Sequence, residues 1–299
     1  MRLLFLGTPE FAVPTLEALA RTHEIALVVA QPDKPAGRGM KLQAPAVAVK
    51  ARELGLPLAQ PPKVRDPEFL ARAAELRADA GIVIAYGKIL PAALLELPKH
   101  GFLNVHASVL PQWRGAAPIQ RAIEQGDRET GVTIMRVDEQ LDHGAMFAIE
   151  RTPIDPDEHT PQLASRLSRL GADALLHVLD ELARGTSVET PQQHELATYA
   201  AKIEKEEGHV RWSDPAQTIY DKYRAFDPWP GVFTDELKLT ELARANGHGK
   251  PGEILSIDDD GVIVACGDGA LRVITVQKPG KPRVRAADLV RSAQLTSLA

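Results

Sequence analysis

The chain has 299 residues, of which 44% are hydrophobic, a net charge of −5 at pH 7 and one cysteine, Cys266. This length suits two globular domains with ample apolar material for a core in each, and one cysteine excludes both an internal disulfide and a thiolate metal cluster. The sequence has no run of about 18 apolar residues, so no transmembrane helix is predicted. Because the net charge is negative, a polyanionic partner would have to bind at local basic patches.

The first half of the chain alternates short apolar runs with segments of helical periodicity. Because the apolar runs are continuous, they predict strands buried on both faces, and the alternation predicts an α/β, Rossmann-like fold: a mostly parallel sheet with helices on both faces. The first run follows Met1 directly and is too short for a signal peptide. The predicted strands are 3–6, 25–30, 80–85, 102–106, 130–136 and 146–150, and the predicted helices are 11–21, 47–54 and 67–76.

Asn104 and His106 stand two residues apart at the end of a predicted strand, so their side chains share one face. Asp142 follows in the segment 141–144, between the last two predicted strands. Ligands bind at the carboxyl ends of strands in such sheets. An amide and an imidazolium can stabilise an oxyanion, and a carboxylate can orient the imidazole, so the three side chains are candidates for acyl transfer.

Two other chemistries are disfavoured by the sequence. Gly7 follows the first predicted strand, but the second and third glycines of a dinucleotide fingerprint are missing and Glu10 would repel a diphosphate. His106, Asp142 and His143 lack helical metal-ligand spacing, so no metal is predicted.

The second half of the chain begins with one long amphipathic helix, 162–183, followed by a polar stretch. Past residue 205, short alternating runs separated by turn clusters predict a smaller OB-like β-barrel, preceded by a helix at 215–224. The predicted organisation is therefore a first domain over 1–188, a linker over 189–204 and a second domain over 205–299.

The segment 101–118, Gly-Phe-Leu-Asn-Val-His-Ala-Ser-Val-Leu-Pro-Gln-Trp-Arg-Gly-Ala-Ala-Pro, resembles the signature of enzymes that use 10-formyltetrahydrofolate as formyl donor. The resemblance implies that 1–188 is a formyltransferase catalytic domain in which Asn104, His106 and Asp142 are catalytic. It also implies a folate site lined by two short segments. The predicted folate contacts are Ser108, Val109, Leu110 and Pro111, together with Tyr86 and Gly87 on the pterin side. Two positions depart from the family pattern: Val109 replaces Leu, and His143 replaces a small polar residue and is expected to face solvent.

Two basic segments predict contact with a polyanion. The loop 31–41 is rich in Pro, Gly and cations, and it resembles a loop that meets the tRNA acceptor end in family members acting on methionyl-tRNA. The segment 272–285 carries five cations and no acid. The resemblance thus implies initiator methionyl-tRNA as partner, bound partly by the 205–299 domain. The single cysteine fits a reducing cytoplasm, and a monomer without membrane association is expected. The predicted tRNA contacts are Lys34, Arg38, Lys41, Lys278, Lys281 and Arg283.

Three alternatives stay open at this stage: a formyltransferase acting on a UDP-amino sugar, a glycinamide ribonucleotide formyltransferase, and a non-catalytic folate- or nucleotide-binding protein. The basic segments favour tRNA over a small acceptor. Trp212 and Trp229 are expected to pack in a core or between domains. Arg114 fits either a ligand contact or a helix cap.

Overall fold

A computed structural model of the chain describes residues 1–36 and 41–298, which form two compact units. The first unit comprises Met1–Pro118, Glu129–Pro153 and Ala164–Ala200. The second comprises Ile119–Arg128, Ile154–Leu163 and the chain from Ala201 onward.

The first unit contains a seven-stranded sheet, two short two-stranded sheets and most of the helices. Its strands are β1 (Arg2–Gly7), β2 (Glu24–Val29), β3 (Lys34–Ala36), β4 (Lys41–Gln43), β5 (Leu58–Ala59), β6 (Ala80–Ile84), β7 (Phe102–His106), β8 (Arg114–Gly115), β9 (Glu129–Arg136), β10 (Met146–Pro153) and β11 (Tyr199–Ala200). The α-helices up to the unit's end are α1 (Val13–Thr22), α2 (Ala46–Glu53), α3 (Pro67–Glu75), α4 (Ala92–Leu95), α5 (Pro118–Glu124) and α6 (Thr160–Arg184). Helices α5 and α6 contribute residues to both units.

The large sheet has the order β10-β9-β7-β6-β1-β2-β5. Strands β5, β2, β1, β6 and β7 are parallel, whereas β9 runs antiparallel to β7 and β10 antiparallel to β9. The mostly parallel sheet is thus confirmed, with an antiparallel extension next to the strand that carries Asn104 and His106.

Burial explains why the first strand reads as a continuous apolar run. Leu3, Leu4, Phe5 and Leu6 are all fully buried, so both faces of β1 are covered. Helix α3 shows how local signals set an element's start: the Asp66 side chain accepts a hydrogen bond from the Glu68 amide at 3.0 Å, and proline occupies the first turn.

The second unit contains an antiparallel sheet of order β12-β13-β16-β15-β14, with β17 also paired to β16. Its strands and helices are β12 (Val232–Phe233), β13 (Lys238–Ala245), β14 (Ile254–Ile257), β15 (Val262–Ala265), β16 (Ala270–Gln277), β17 (Arg283–Arg285), α7 (Ala216–Ala225) and α8 (Ala286–Ala293). The small β domain is confirmed, whereas closure of its sheet into a barrel stays a prediction. Strand β17 and helix α8 were not anticipated from sequence.

One predicted packing residue is confirmed and one is wrong. Trp212 is buried and its indole N–H donates to the Leu298 carbonyl at 2.9 Å. Trp229, by contrast, is 55% exposed. Within the described residues, no helix has the length and apolarity needed to cross a bilayer.

Candidate active site

The candidate site lies at the carboxyl end of β7, where Asn104 and His106 alternate with buried apolar neighbours. Asn104 pairs with Met135 and His106 with Thr133 on the antiparallel strand β9. His106 is 5% exposed, whereas Asn104 is half-buried. The strand therefore places a fixed imidazole and a more accessible amide on one face, two residues apart.

The structure brings Asp142 close to His106, although the two residues lie far apart in sequence. The distance from His106 Nδ1 to Asp142 Oδ2 is 3.6 Å, longer than a hydrogen bond but within ion-pair range. The other ring nitrogen, Nε2, lies 2.9 Å from the Trp113 carbonyl. A carbonyl can only accept, so Nε2 carries a proton, and Nδ1 faces the carboxylate.

The Asp142 carboxylate is held by the backbone as well. Its Oδ2 accepts a hydrogen bond from the Gly115 amide at 2.8 Å. The backbone of Asp142 has φ = +47°, a left-handed conformation that residues other than glycine rarely adopt. Such strain persists only where surrounding contacts enforce it, and it is concentrated at functional sites.

A buried polar cluster surrounds the Asp142 loop. The Gln192 amide nitrogen donates to the carbonyls of Asp142 at 3.0 Å and Gly144 at 2.8 Å, and its oxygen accepts from the Arg114 guanidinium. Arg114 is 3% exposed, and its Nη2 also lies 2.8 Å from His194 Nδ1. Arg114 therefore serves neither of the roles considered from sequence, since its guanidinium is occupied inside the protein.

His143 is not the solvent-facing residue expected from sequence. Its ring stacks on His194 with centroids 3.9 Å apart and planes inclined by 2°, and its Nδ1 lies 2.8 Å from the Asp138 carboxylate. Both His194 and Gln192 belong to the polar segment predicted as a linker. No local signal marks them, because their partners are about fifty residues or more away in sequence.

The predicted folate segment at 108–111 is anchored to β9 by its backbone. Thr133 Oγ1 donates to the Ser108 carbonyl at 2.7 Å and accepts from the Leu110 amide at 3.1 Å. The side chains of Ser108, Val109 and Leu110 are buried, and Pro111 is half-buried. Contact between this segment and a ligand would therefore depend mainly on Pro111 and main-chain groups.

Tyr86 joins the loops that follow three parallel strands. Its carbonyl accepts hydrogen bonds from Thr8 Oγ1 at 2.9 Å and Gln31 Nε2 at 3.0 Å. The ring is 2% exposed within an apolar cluster that includes Phe102, so it cannot contact a ligand from there. Gly87, with φ = +82° and open space at its Cα, is the more accessible of the two predicted pterin contacts.

Replacing Tyr86 with phenylalanine is expected to raise the free energy of unfolding by about 1 kcal/mol. Among the described residues the buried hydroxyl has no hydrogen-bond partner, and burial raises the pKa of this phenol to about 12. Urea unfolding measures the effect. Tyr220→Phe is the matched control: that hydroxyl donates to Asp157 at 2.9 Å, so its removal should lower stability by about 1 kcal/mol. A Tyr86→Phe variant less stable than wild type contradicts the assignment.

The predicted tRNA contacts lie on exposed parts of both units, except Arg38, which lies outside the described residues. Lys34 and Lys41 stand on the two strands of the β3–β4 ribbon, and Lys278, Lys281 and Arg283 are exposed around the turn into β17. Arg272, in the same basic segment, bonds instead to Asp258, which lowers the pKa of that carboxyl.

Two further chemistries can be assessed from the side chains themselves. Burial raises the pKa of the Cys266 thiol to about 11, so it is not a nucleophile near neutral pH. Within residues 1–36 and 41–298, no group of three or more His, Cys, Asp or Glu side chains is arranged to hold a metal ion.

An amide, an imidazole and a carboxylate near the carboxyl edge of a mostly parallel sheet are the groups that an acyl-transfer enzyme working through oxyanion stabilisation requires. Comparison with known families makes the assignment specific. The model described as "Formyl transferase" matches residues 1–179, and that described as "Formyl transferase, C-terminal domain" matches residues 202–294. The chain belongs to the formyl transferase family.

Similar proteins extend over the whole chain. Methionyl-tRNA formyltransferases of Sorangium cellulosum and Citrifermentans bemidjiense are each 47% identical to it, covering 99% of this chain and 97% and 94% of their own lengths. Among solved structures, a sugar 3N-formyl transferase, WlaRD, has a TM-score of 0.69 at 17% identity, covering 94% of this chain and 99% of that one. HypX from Aquifex aeolicus in complex with tetrahydrofolic acid has a TM-score of 0.65 at 22% identity, covering 97% of this chain and 47% of that one. Both structures show a shared fold.

Proposed function

We propose that this chain transfers a formyl group from 10-formyltetrahydrofolate to the α-amine of initiator methionyl-tRNA and so supports translation initiation. The observation that carries the proposal is the similarity, at 44–47% identity and nearly full length, to relatives named methionyl-tRNA formyltransferase. The fold relative solved with tetrahydrofolic acid supports the same donor class.

The reaction requires little base strength from the protein. A free α-amine has a pKa near 8 and that of an aminoacyl ester is lower, so much of the acceptor is neutral at pH 7. The amine nitrogen attacks the formyl carbon and the carbonyl oxygen becomes an oxyanion. The bond from carbon to N10 then breaks, N10 takes up a proton and the former amine loses one. The oxyanion and the leaving nitrogen are therefore what the site must stabilise.

The proposed roles follow from the positions of the three side chains. Asn104 donates its amide N–H to the oxyanion. His106 has its Nε2–H fixed on the Trp113 carbonyl, and in the imidazolium form its Nδ1–H, 3.6 Å from Asp142 Oδ2, donates to the same oxygen. Asp142 orients the ring and relays the proton between the attacking amine and N10. Ser108–Pro111 and the Tyr86–Gly87 loop would hold the folate.

The acceptor can be tested directly. The purified protein is given 10-formyltetrahydrofolate with methionyl-tRNA, glycinamide ribonucleotide or a UDP-amino sugar in parallel, and formylated product is quantified. We expect product only with methionyl-tRNA. The sugar acceptor is the alternative that the fold relatives suggest, and its formylation in place of methionyl-tRNA would refute the proposal.

Binding of the tRNA is expected to weaken steeply with salt, because the contacts neutralise phosphates. Replacing Lys281 with alanine should reduce the slope of log Kd against log salt by about 1, as expected for one lost phosphate contact. The measurement is a tRNA-binding titration at several salt concentrations. Lys63→Ala, at an exposed lysine outside the predicted set, should leave the slope unchanged. A shallow slope in the wild type would favour a small acceptor.

We further propose a division of labour along the chain: formyl-transfer chemistry within 1–188, a connection at 189–204, and tRNA binding assisted by 205–299. A cytoplasmic location is supported by the free, buried Cys266, since disulfides are rare in that compartment. The proposed state is a monomer, which light scattering tests.

A further inference from the structure

The amide of Gln192 uses its entire hydrogen-bonding capacity at the Asp142 loop. It donates two hydrogen bonds to main-chain carbonyls and accepts two from Arg114, at 3.1 Å from Nε and 2.6 Å from Nη2. A guanidinium can only donate and a carbonyl can only accept, so the orientation of the amide is fixed by its partners. Glutamate could not replace Gln192 because a carboxylate cannot donate, and methionine could not replace it because a thioether cannot donate and accepts only weakly.

These four bonds control both partners of the hydrogen bond that holds the Asp142 carboxylate. On one side, Gln192 bonds the carbonyls of residues 142 and 144, and so fixes the left-handed backbone of Asp142. On the other side, it holds Arg114, whose successor Gly115 donates its amide N–H to Asp142 Oδ2. Gln192 is 4% exposed, so water does not compete for these bonds.

We propose that Gln192 is a positioning residue for formyl transfer, acting through Asp142 by holding that carboxylate beside His106. The inference rests on the proposed function, because it assumes that Asp142 takes part in the reaction. It gives the polar segment before His194 a role in the chemistry, although Gln192 does not touch the reacting atoms. Misplacing a catalytic group by about 1 Å can lower the rate about 100-fold.

The test is a double-mutant cycle between Gln192→Met and Asp142→Ala. For each variant, kcat and KM are measured with methionyl-tRNA as acceptor. Gln192→Met alone should lower kcat by about 10- to 100-fold while KM changes by less than about threefold. In the Asp142→Ala background, the same substitution should change kcat by less than about twofold, because the group it positions is already gone. Gln193→Met, at the exposed neighbour, is the matched control and should keep wild-type kcat.

Two results would overturn the inference: wild-type kcat in Gln192→Met, or an equal fold loss in both backgrounds, which indicates a general structural effect. If Gln192→Met does not fold, Gln192→Glu replaces it in the cycle, since a carboxylate keeps the bonds from Arg114 and loses both donated bonds. A wild-type protein that formylates no acceptor overturns the proposed function as well, whereas an active wild type with unaffected variants overturns this inference alone.

Discussion

Replacing Asn104 with alanine is expected to lower kcat by about 10²–10³-fold, equivalent to roughly 3 kcal/mol of transition-state stabilisation. The substitution removes the side-chain donor on β7 that stands on the same face as His106. Single-turnover formylation of methionyl-tRNA at saturating folate measures the effect on the chemical step.

The control for this variant is Asn246→Ala, which removes the same side chain from an exposed position of the second unit. It should retain wild-type kcat. The melting temperatures of both variants should stay close to that of the wild type, since Asn104 is only half-buried. Turnover of Asn104→Ala within twofold of the wild type would exclude this amide as the oxyanion donor.

Gly144→Ala is expected to lower kcat/KM by about 100-fold, through displacement of Asp142 two residues earlier. A Cβ at position 144 would lie 2.0 Å from the Arg136 carbonyl oxygen, so the backbone must move. Hydrogen bonds hold the loop at this point. The Arg136 amide donates to the Ala145 carbonyl at 2.8 Å, and the Gln192 side-chain amide donates to the Gly144 carbonyl. Steady-state formylation kinetics report the loss.

Gly185→Ala makes the same chemical change at a position where, in the described part of the chain, no atom beyond the adjacent residues lies within 4 Å of the added carbon. Its φ of +70° predicts a loss of about 1 kcal/mol in the free energy of unfolding, with kcat/KM unchanged. If Gly144→Ala behaves like this control, the Asp142 loop tolerates displacement and its geometry does not limit the reaction.

Local sequence patterns predict six of the seven strands of the main sheet, all but β5, and two of the three proposed catalytic side chains. Leu3–Leu6 predicts a strand buried on both faces because the apolar run is continuous and too short for a buried helix. The period of two places Asn104 beside His106 on one face. The proximity of Asp142 follows from no spacing rule, since the antiparallel pairing of β9 and β10 brings its loop back to β7. The family resemblance supplied that residue.

The remaining site residues were not predictable from local patterns. Gln192 stands in a polar stretch and its burial depends entirely on partners supplied by the tertiary structure. The same applies to Arg114, which a surface helix cap would have explained equally well. The prediction for Trp229 is wrong in the opposite direction: this side chain is expected to pack in a core or between domains, yet more than half of it faces solvent.

The ribbon of β3 and β4 stands apart from the other sheets, since within the described residues its strands pair only with each other. Lys34, Lys41 and Leu42 on it are exposed, and a hydrogen bond from Gln60 to Asp33 ties down its base. Exchanging these exposed side chains would carry little folding penalty. Substitutions on this ribbon would therefore change the charge that it offers to the proposed polyanionic acceptor while leaving the buried framework intact.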